Sequence, residues 1–244
     1  MQSIHELTRT DTRRFLLFVP YCPTSRIVSR AFQIALGCVL ALSSVAFCQS
    51  PDPVDTARKT NARPAETSAL PREPFDGLPL EKMAGQCVTL ETEAGAIVIE
   101  MIPEVAPEAV RNFLNLAATG SLDTTTFSRT VKNFVIQGGN LFTHEKWGIE
   151  LSRRMARKLP DEPSDVKHVR GIVSMARTDE LNSATTHFFI LVGDGHFLDG
   201  KFAAFGRVTR GIEVADAINQ APAEAEKPER PVHIKHALVA QCTK

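Results

Sequence analysis

Between Gln86 and Gln241 the chain is broken into short β-rich runs, none long enough to stand alone as a sheet edge in water. Gln86–Thr92 and Ala96–Met101 flank Glu93-Ala94-Gly95, a hairpin pattern. Further runs follow at Thr125–Thr130, Phe134–Gln137, Ile172–Met175, Phe188–Val192, Phe202–Val208 and Val232–Gln241. Two stretches break the pattern. Pro107–Thr119 has a helical period, with Val110, Phe113, Leu114 and Ala117 on one face, Pro107 near its start and Gly120 at its stop. Ile212–Asn219 reads as a second helix. About eight short strands and two helices predict a closed eight-stranded antiparallel β-barrel, because closure removes the edges that short strands would expose. A barrel this small fills its interior with side chains, so a ligand must bind on an outer face.

The region before Ala84 has a different character. Arg13, Arg14, Arg26 and Arg30 precede an apolar run from Ala31 to Phe47, the pattern of a signal peptide or an uncleaved membrane anchor over residues 1–48. Residues 49–83 carry Pro51, Pro53, Pro64, Pro71, Pro74 and Pro79 with few large apolar side chains, and are expected to form a disordered linker. The folded domain is then 84–244. The expected location is exported, periplasmic or otherwise extracytoplasmic, with membrane contact only through an uncleaved anchor. Lysine plus arginine number 28 against 28 acidic residues, so nothing global favours nucleic acid.

Three of the five cysteines, Cys22, Cys38 and Cys48, lie in the leader. Cys87 and Cys242 sit on the first and last expected strands, which a closed barrel brings together. Export would allow them to form a disulfide; two free buried thiols are the alternative. The seven histidines show no metal-ligand spacing with these cysteines, and neither a metal nor a cofactor is expected.

Two regions carry the chemistry. The first is Phe127-Ser-Arg-Thr-Val-Lys-Asn-Phe-Val-Ile-Gln-Gly-Gly139. The second runs from Gly171-Ile-Val-Ser-Met-Ala-Arg177 through Asn182-Ser-Ala-Thr-Thr-His-Phe-Phe-Ile190 to Phe197-Leu-Asp-Gly-Lys201 and Phe205-Gly-Arg-Val208. Arg129, Gln137 and a set of apolar and aromatic side chains on strands suit a dry pocket for a proline ring beside a hydrogen-bond donor. Gly195–Phe202 nearly matches a phosphate-binding loop, but Phe202 stands where a hydroxyl must bind magnesium.

These motifs resemble the signature regions of the cyclophilin-type peptidyl-prolyl isomerases, in the form common in bacterial members, over roughly Gln86 to Cys242. The resemblance implies a helix over each open end of the barrel and catalysis of rotation about X–Pro bonds in proline-containing polypeptides. It implies that Arg129 donates to the prolyl nitrogen and that Gln137 orients Arg129. Phe134, Val135, Phe189 and Leu198 would line the proline pocket. Ala176 and the backbone of Arg177 would pair with the peptide, and Phe197 would stand at the rim. A monomer is expected. A non-catalytic module that holds proline-containing segments is the rival reading, but such a module needs the pocket and not the donor.

Four departures from the family pattern stand out. Ser128 replaces a histidine, His187 replaces a glutamine and would make peptide binding pH-dependent, and Phe202 makes the pocket edge more apolar. Asn140–Lys158 lacks the usual glycine-rich loop and has room for a short helix. Its basic cluster Arg153, Arg154, Arg157 and Lys158 reads as a solvated face. Cyclosporin-sensitive cyclophilins resemble one another in a rim tryptophan, whereas this chain has Phe197.

Overall fold

A computed structural model describes residues 72–243. The expected leader and the linker up to residue 71 lie outside the described residues. The first elements are a short helix α1 (Leu80–Met83), strands β1 (Gln86–Thr92) and β2 (Gly95–Met101), and helix α2 (Pro107–Ala118). Strands β3 (Arg129–Val131) and β4 (Val135–Gly138) follow, then helix α3 (Ile149–Met155) and strands β5 (Ile172–Met175), β6 (Phe188–Leu191) and β7 (Ala204–Arg210). Helix α4 (Ile212–Gln220), a two-residue hairpin pair β8 (Ala223–Glu224) and β9 (Lys227–Pro228), and strand β10 (Ile234–Gln241) complete the chain.

Eight strands form one antiparallel sheet in the order β10-β1-β2-β7-β5-β6-β4-β3. The word "closed" needs correction. β3 and β10 share no ladder. The seam is carried by the residues just before β3, through a single Thr126–His233 bridge and two backbone bonds, Phe127 N–H to Val232 O (3.0 Å) and Ile234 N–H to Thr125 O (2.7 Å). The run expected as one strand over Thr125–Thr130 is therefore divided between this seam and β3.

Strand alternation sorts the apolar residues into two clusters. The interior cluster contains Val88, Leu90, Ile97, Ile99, Phe188 and Phe205. α2 packs its expected face, Val110, Phe113, Leu114 and Ala117, onto it. The Phe113 ring lies 5.0 Å from that of Phe188 and 4.9 Å from that of Phe205, centroid to centroid. Each such ring removed from water contributes roughly 1.5–3 kcal/mol. The second cluster lies on the opposite face of the sheet and contains Val135, Ile172, Phe189, Leu191, Leu198 and Ala204. Neighbouring Phe188 and Phe189 thus serve opposite faces, as the two-residue period of a strand requires.

The folded domain begins earlier than Ala84. The Phe75 N–H donates to Asn115 Oδ1 (2.7 Å), Arg111 donates to the carbonyls of Phe75 (2.6 Å) and Leu78 (2.8 Å), and Met83 is wholly buried. These anchors lie within the proline-containing stretch 49–83. Phe75 and Met83 become core residues only when α2 presents a surface to them.

The divergent stretch Asn140–Lys158 opens with a tight turn at Leu141–Thr143 and then forms α3. Gly139 at its entry has φ +82°, and a Cβ there would collide with the Thr186 carbonyl. The basic cluster is only partly a solvated face: Arg153 and Lys158 are exposed and Arg157 is half-buried. Arg154 is buried and donates to Glu73 Oε1 (2.5 Å) and Asn112 Oδ1 (2.8 Å). Arg157 reaches the other oxygen of Glu73 (3.2 Å), Arg153 pairs with Glu150 and Lys158 pairs with Glu180. Glu73 and Asp76, from the segment assigned to the linker, supply the missing charge.

Cys87 and Cys242 are joined by a disulfide with a Cα separation of 5.0 Å. Cys87 faces Ala240 across the β1–β10 ladder, and the Cys242 N–H donates to Gly85 O (2.8 Å), so the ladder register places the two thiols side by side. A link across 155 residues restricts the unfolded chain strongly and stabilises by roughly 2–4 kcal/mol.

Candidate active site

The outer apolar cluster is the floor of a concave site on the β3–β4–β6–β5 face. A cavity of about 170 Å³ is lined by Arg129, Phe134, Val135, Gln137, Ala176, Arg177, Phe189, Leu198 and Phe202. It is small beside the ~300–1,000 Å³ of pockets that take whole drug-sized ligands. It suits one compact ring. Register explains its assembly. Arg129 stands opposite Gln137 across β3 and β4, and Gln137 stands opposite Phe189 across β4 and β6. Arginine, glutamine and phenylalanine therefore form a row perpendicular to the strands.

Arg129 Nη1 donates to Gln137 Oε1 (3.2 Å), and its Nε donates to Glu226 Oε2 (2.8 Å). The sequence reading assigned Gln137 as the orienting group and missed Glu226. No signal short of the β8–β9 turn could have found it, because the two residues are 97 positions apart.

Phe134 and Phe197 stack at the mouth with centroids 5.3 Å apart, and Phe197 is 63% exposed, a rim position. Leu198 lies behind it, nearly buried. Both sit on a tight turn, His196–Leu198, held from below by Asp199. The Asp199 carboxylate accepts the backbone N–H of His168 (2.8 Å) and also meets the His168 ring, Lys167 and His196. The His168 N–H is the main reason its pKa falls to about 2.

Phe202 packs edge-on against Phe189 at 6.0 Å, and the Arg177 guanidinium lies 5.0 Å above the Phe202 ring. The same guanidinium donates to the Thr178 carbonyl (2.8 Å) and the Lys201 carbonyl (3.2 Å). The Arg177 side chain is thus part of the wall.

Ala176 and His187 meet along one edge of the site. The Ala176 N–H donates to His187 O (2.9 Å) within the chain, and Ala176 lines both the ring cavity and the cavity beside it. His187 does not line the ring cavity. It lines an adjoining cavity of about 370 Å³ with Gln137, Ala176, Arg177, Thr178, Ser183 and Thr185. Burial lowers its pKa below the ordinary imidazole value, so His187 is neutral at pH 7 and any titration is pushed to more acidic conditions.

Among the described residues there is no cluster of histidine, cysteine and carboxylate side chains suited to a metal. The residues at the site are two arginines, one of them stacked into the wall, one amide and apolar walls, which can grip a ring and donate hydrogen bonds at its edge.

Comparison with known proteins shows the family. The family model for cyclophilin-type peptidyl-prolyl cis-trans isomerases matches residues 87–239. The chain is 38% identical over 148 residues to the peptidyl-prolyl cis-trans isomerase cypE of Dictyostelium discoideum, covering 60% of this chain and 92% of that protein. It is 35% identical over 168 residues to the peptidyl-prolyl cis-trans isomerase A of Dickeya dadantii, covering 62% and 83%. Among solved structures, a cyclophilin-type isomerase from Cryptosporidium parvum superposes with a TM-score of 0.58 at 29% identity, over 65% of this chain and 99% of that one. The same Cryptosporidium protein was also solved in the presence of the dipeptide Ala-Pro, with a TM-score of 0.56.

Proposed function

The chain belongs to the cyclophilin-type peptidyl-prolyl cis-trans isomerases, and from that premise we propose how its own residues catalyse the reaction and where it works. Rotation about an X–Pro bond is slow because amide resonance must be broken, a barrier of about 18–20 kcal/mol. No nucleophile is required. As the bond twists, the prolyl nitrogen becomes pyramidal and regains a localised lone pair. A donor aimed at that nitrogen binds the twisted state better than the planar one, which is the condition for catalysis.

In this reading Arg129 is the donor, and Gln137 holds its guanidinium and contacts the peptide. Phe134, Val135, Phe189 and Leu198 enclose the ring, with Phe197 and Phe202 at the edges. The carrying observation is that Arg129 and Gln137 are hydrogen-bonded to each other at the wall of an apolar cavity of ring size. Proline-containing polypeptides are the substrates, and the domain acts as a monomer.

We further propose that the protein is exported, in the form common in bacterial members, and assists folding outside the cytoplasm. The apolar run Ala31–Phe47 behind a basic flank supports this, and so does the Cys87–Cys242 bridge, since such links persist in oxidising compartments. Residues 1–48 would be the cleaved signal or the retained anchor, and a linker from 49 would end where Arg72 joins the fold.

The test is a protease-coupled isomerisation assay on a set of Xaa-Pro peptides. The chain should accelerate cis–trans exchange well beyond its uncatalysed tens to hundreds of seconds. A folded protein that binds the peptides without accelerating exchange would make it a binding module instead.

A further inference from the structure

We infer that Glu226 is a positioning residue for the isomerase reaction, holding the Arg129 guanidinium at the angle from which it donates. The inference rests on the reading of Arg129 as donor. An arginine is a long flexible side chain, and a guanidinium must be aimed to favour a twisted amide over a planar one. Glu226 accepts from Nε at 2.8 Å, and Gln137 accepts from Nη1 at 3.2 Å. Two of the three nitrogens are thereby fixed from two directions, while Nη2 has no partner among the described residues and remains for the peptide.

The hairpin that carries Glu226 is built for this grip. Its main chain holds β3 as well, because the Glu226 carbonyl accepts the N–H of Thr130, the residue after Arg129, at 2.8 Å. At the turn Ala225 and Glu226 have φ of +46° and +68°, the left-handed region where glycine is at ease and side chains are strained. A glutamate held there against its backbone preference points to a role for its side chain. The ion pair is 38% and 40% exposed, so it adds little to folding and its use must be sought elsewhere.

Steady-state kinetics and melting curves on the full chain test this with Glu226→Ala, Glu226→Gln, Glu226→Gly and Arg129→Ala, each glutamate variant also made in the Arg129→Ala background. Glu226→Ala should lower kcat about 10-fold through misdirection of the donor, with KM changed less than about 2-fold. Glu226→Gln keeps an acceptor oxygen and should recover most of that loss. Glu226→Gly relieves the positive φ and removes the carboxylate, so it should melt no lower than the native chain while still losing kcat. In the Arg129→Ala background none of the three should lower turnover further. The Arg129 Nε–H resonance should be shifted and slow to exchange in the native chain and should lose both properties in Glu226→Ala. Native kcat in folded Glu226→Ala or Glu226→Gly overturns the inference, as does a loss that persists without Arg129 or resides in KM. If Arg129→Ala itself keeps native turnover, the donor assignment fails instead.

Discussion

Two arginine–glutamate pairs of the same chemistry serve opposite ends of this domain. Arg154–Glu73 joins α3 to the residues before α1 at 2.5 Å, with side chains only 6% and 12% exposed. Arg129–Glu226 joins β3 to the β8–β9 turn at 2.8 Å, with side chains 38% and 40% exposed. Burial decides what each pair does. The first is shut from water, so each charge depends on its partner and on the Asn112 amide beside it. The second is screened by solvent and contributes about 0–1 kcal/mol to folding, which leaves its geometry as its use. One pair holds the fold and the other aims a donor.

Arg154→Ala is the strongest attack on this contrast. It removes the shorter of the two arginine contacts to the buried Glu73 carboxylate, leaves only Arg157 on it, and should destabilise by about 1.5–3 kcal/mol. The fraction still folded should turn over substrate at the native rate. Chemical denaturation beside the isomerase assay measures both, and a loss below 1 kcal/mol would make the buried pair no better than the exposed one. Deleting residues up to 83 removes Glu73 and Met83 together and should be at least as harmful, whereas a cut before Arg72 should be silent.

Arg129→Ala should do the reverse. Loss of one transition-state donor costs on the order of 10²–10³-fold in kcat, about 3–4 kcal/mol, with an unchanged melt. Arg129→Lys should recover little, because an ammonium lacks the planar fork that Glu226 and Gln137 hold. Phe189→Ala, which opens the ring pocket, should act mainly through KM. Equal kcat and KM effects from both residues would erase the division between donor and pocket.

Replacing Cys87 and Cys242 by serine should cost roughly 2–4 kcal/mol in stability and leave activity intact at a temperature where the domain remains folded. The disulfide joins β1 to the residue after β10, and neither strand contributes a residue to the ring cavity. A kinetic effect in the folded protein would show that the two regions are coupled.

A smaller effect is expected at the rim. Phe197→Trp should tighten cyclosporin binding by the worth of one hydrogen bond, about 0.5–1.5 kcal/mol, without changing isomerisation. Inhibition titrations decide it. The smallest effect concerns pH. Burial lowers the pKa of both His168 and His187 in the folded state. Their unfolded counterparts protonate near 6.5, so the stability they contribute is complete above that value and is lost as pH falls from there through the lower folded values. Denaturation midpoints should be level from pH 7 to 8 and decline below about 6.5. Peptide binding should likewise be level near neutrality, since His187 is uncharged there.

Legibility in the sequence followed the range of the interaction. The face of α2 was readable because Val110, Phe113, Leu114 and Ala117 repeat at helical spacing. β4 and β6 were readable because their apolar runs are bounded by turns. The pocket residues came from motif order, and Arg129, Gln137, Phe134 and Phe189 do converge on one cavity. His187 lines the adjoining cavity, and the burial that keeps it uncharged near neutrality could not be read from motif order.

Local spacing and residue type thus decide the strands, the two larger helices and the opposite facing of Phe188 and Phe189. These depend on forces that act within a few residues. Only the assembled sheet decides that Glu226 meets Arg129, that Glu73 neutralises a buried Arg154, that residues 72–83 belong to the fold, and that the barrel seam runs through Thr126 and His233 rather than along β3. Each of those contacts spans tens of residues or more. Its energy depends on the dielectric and the register at the meeting point, and neither exists until the chain has folded.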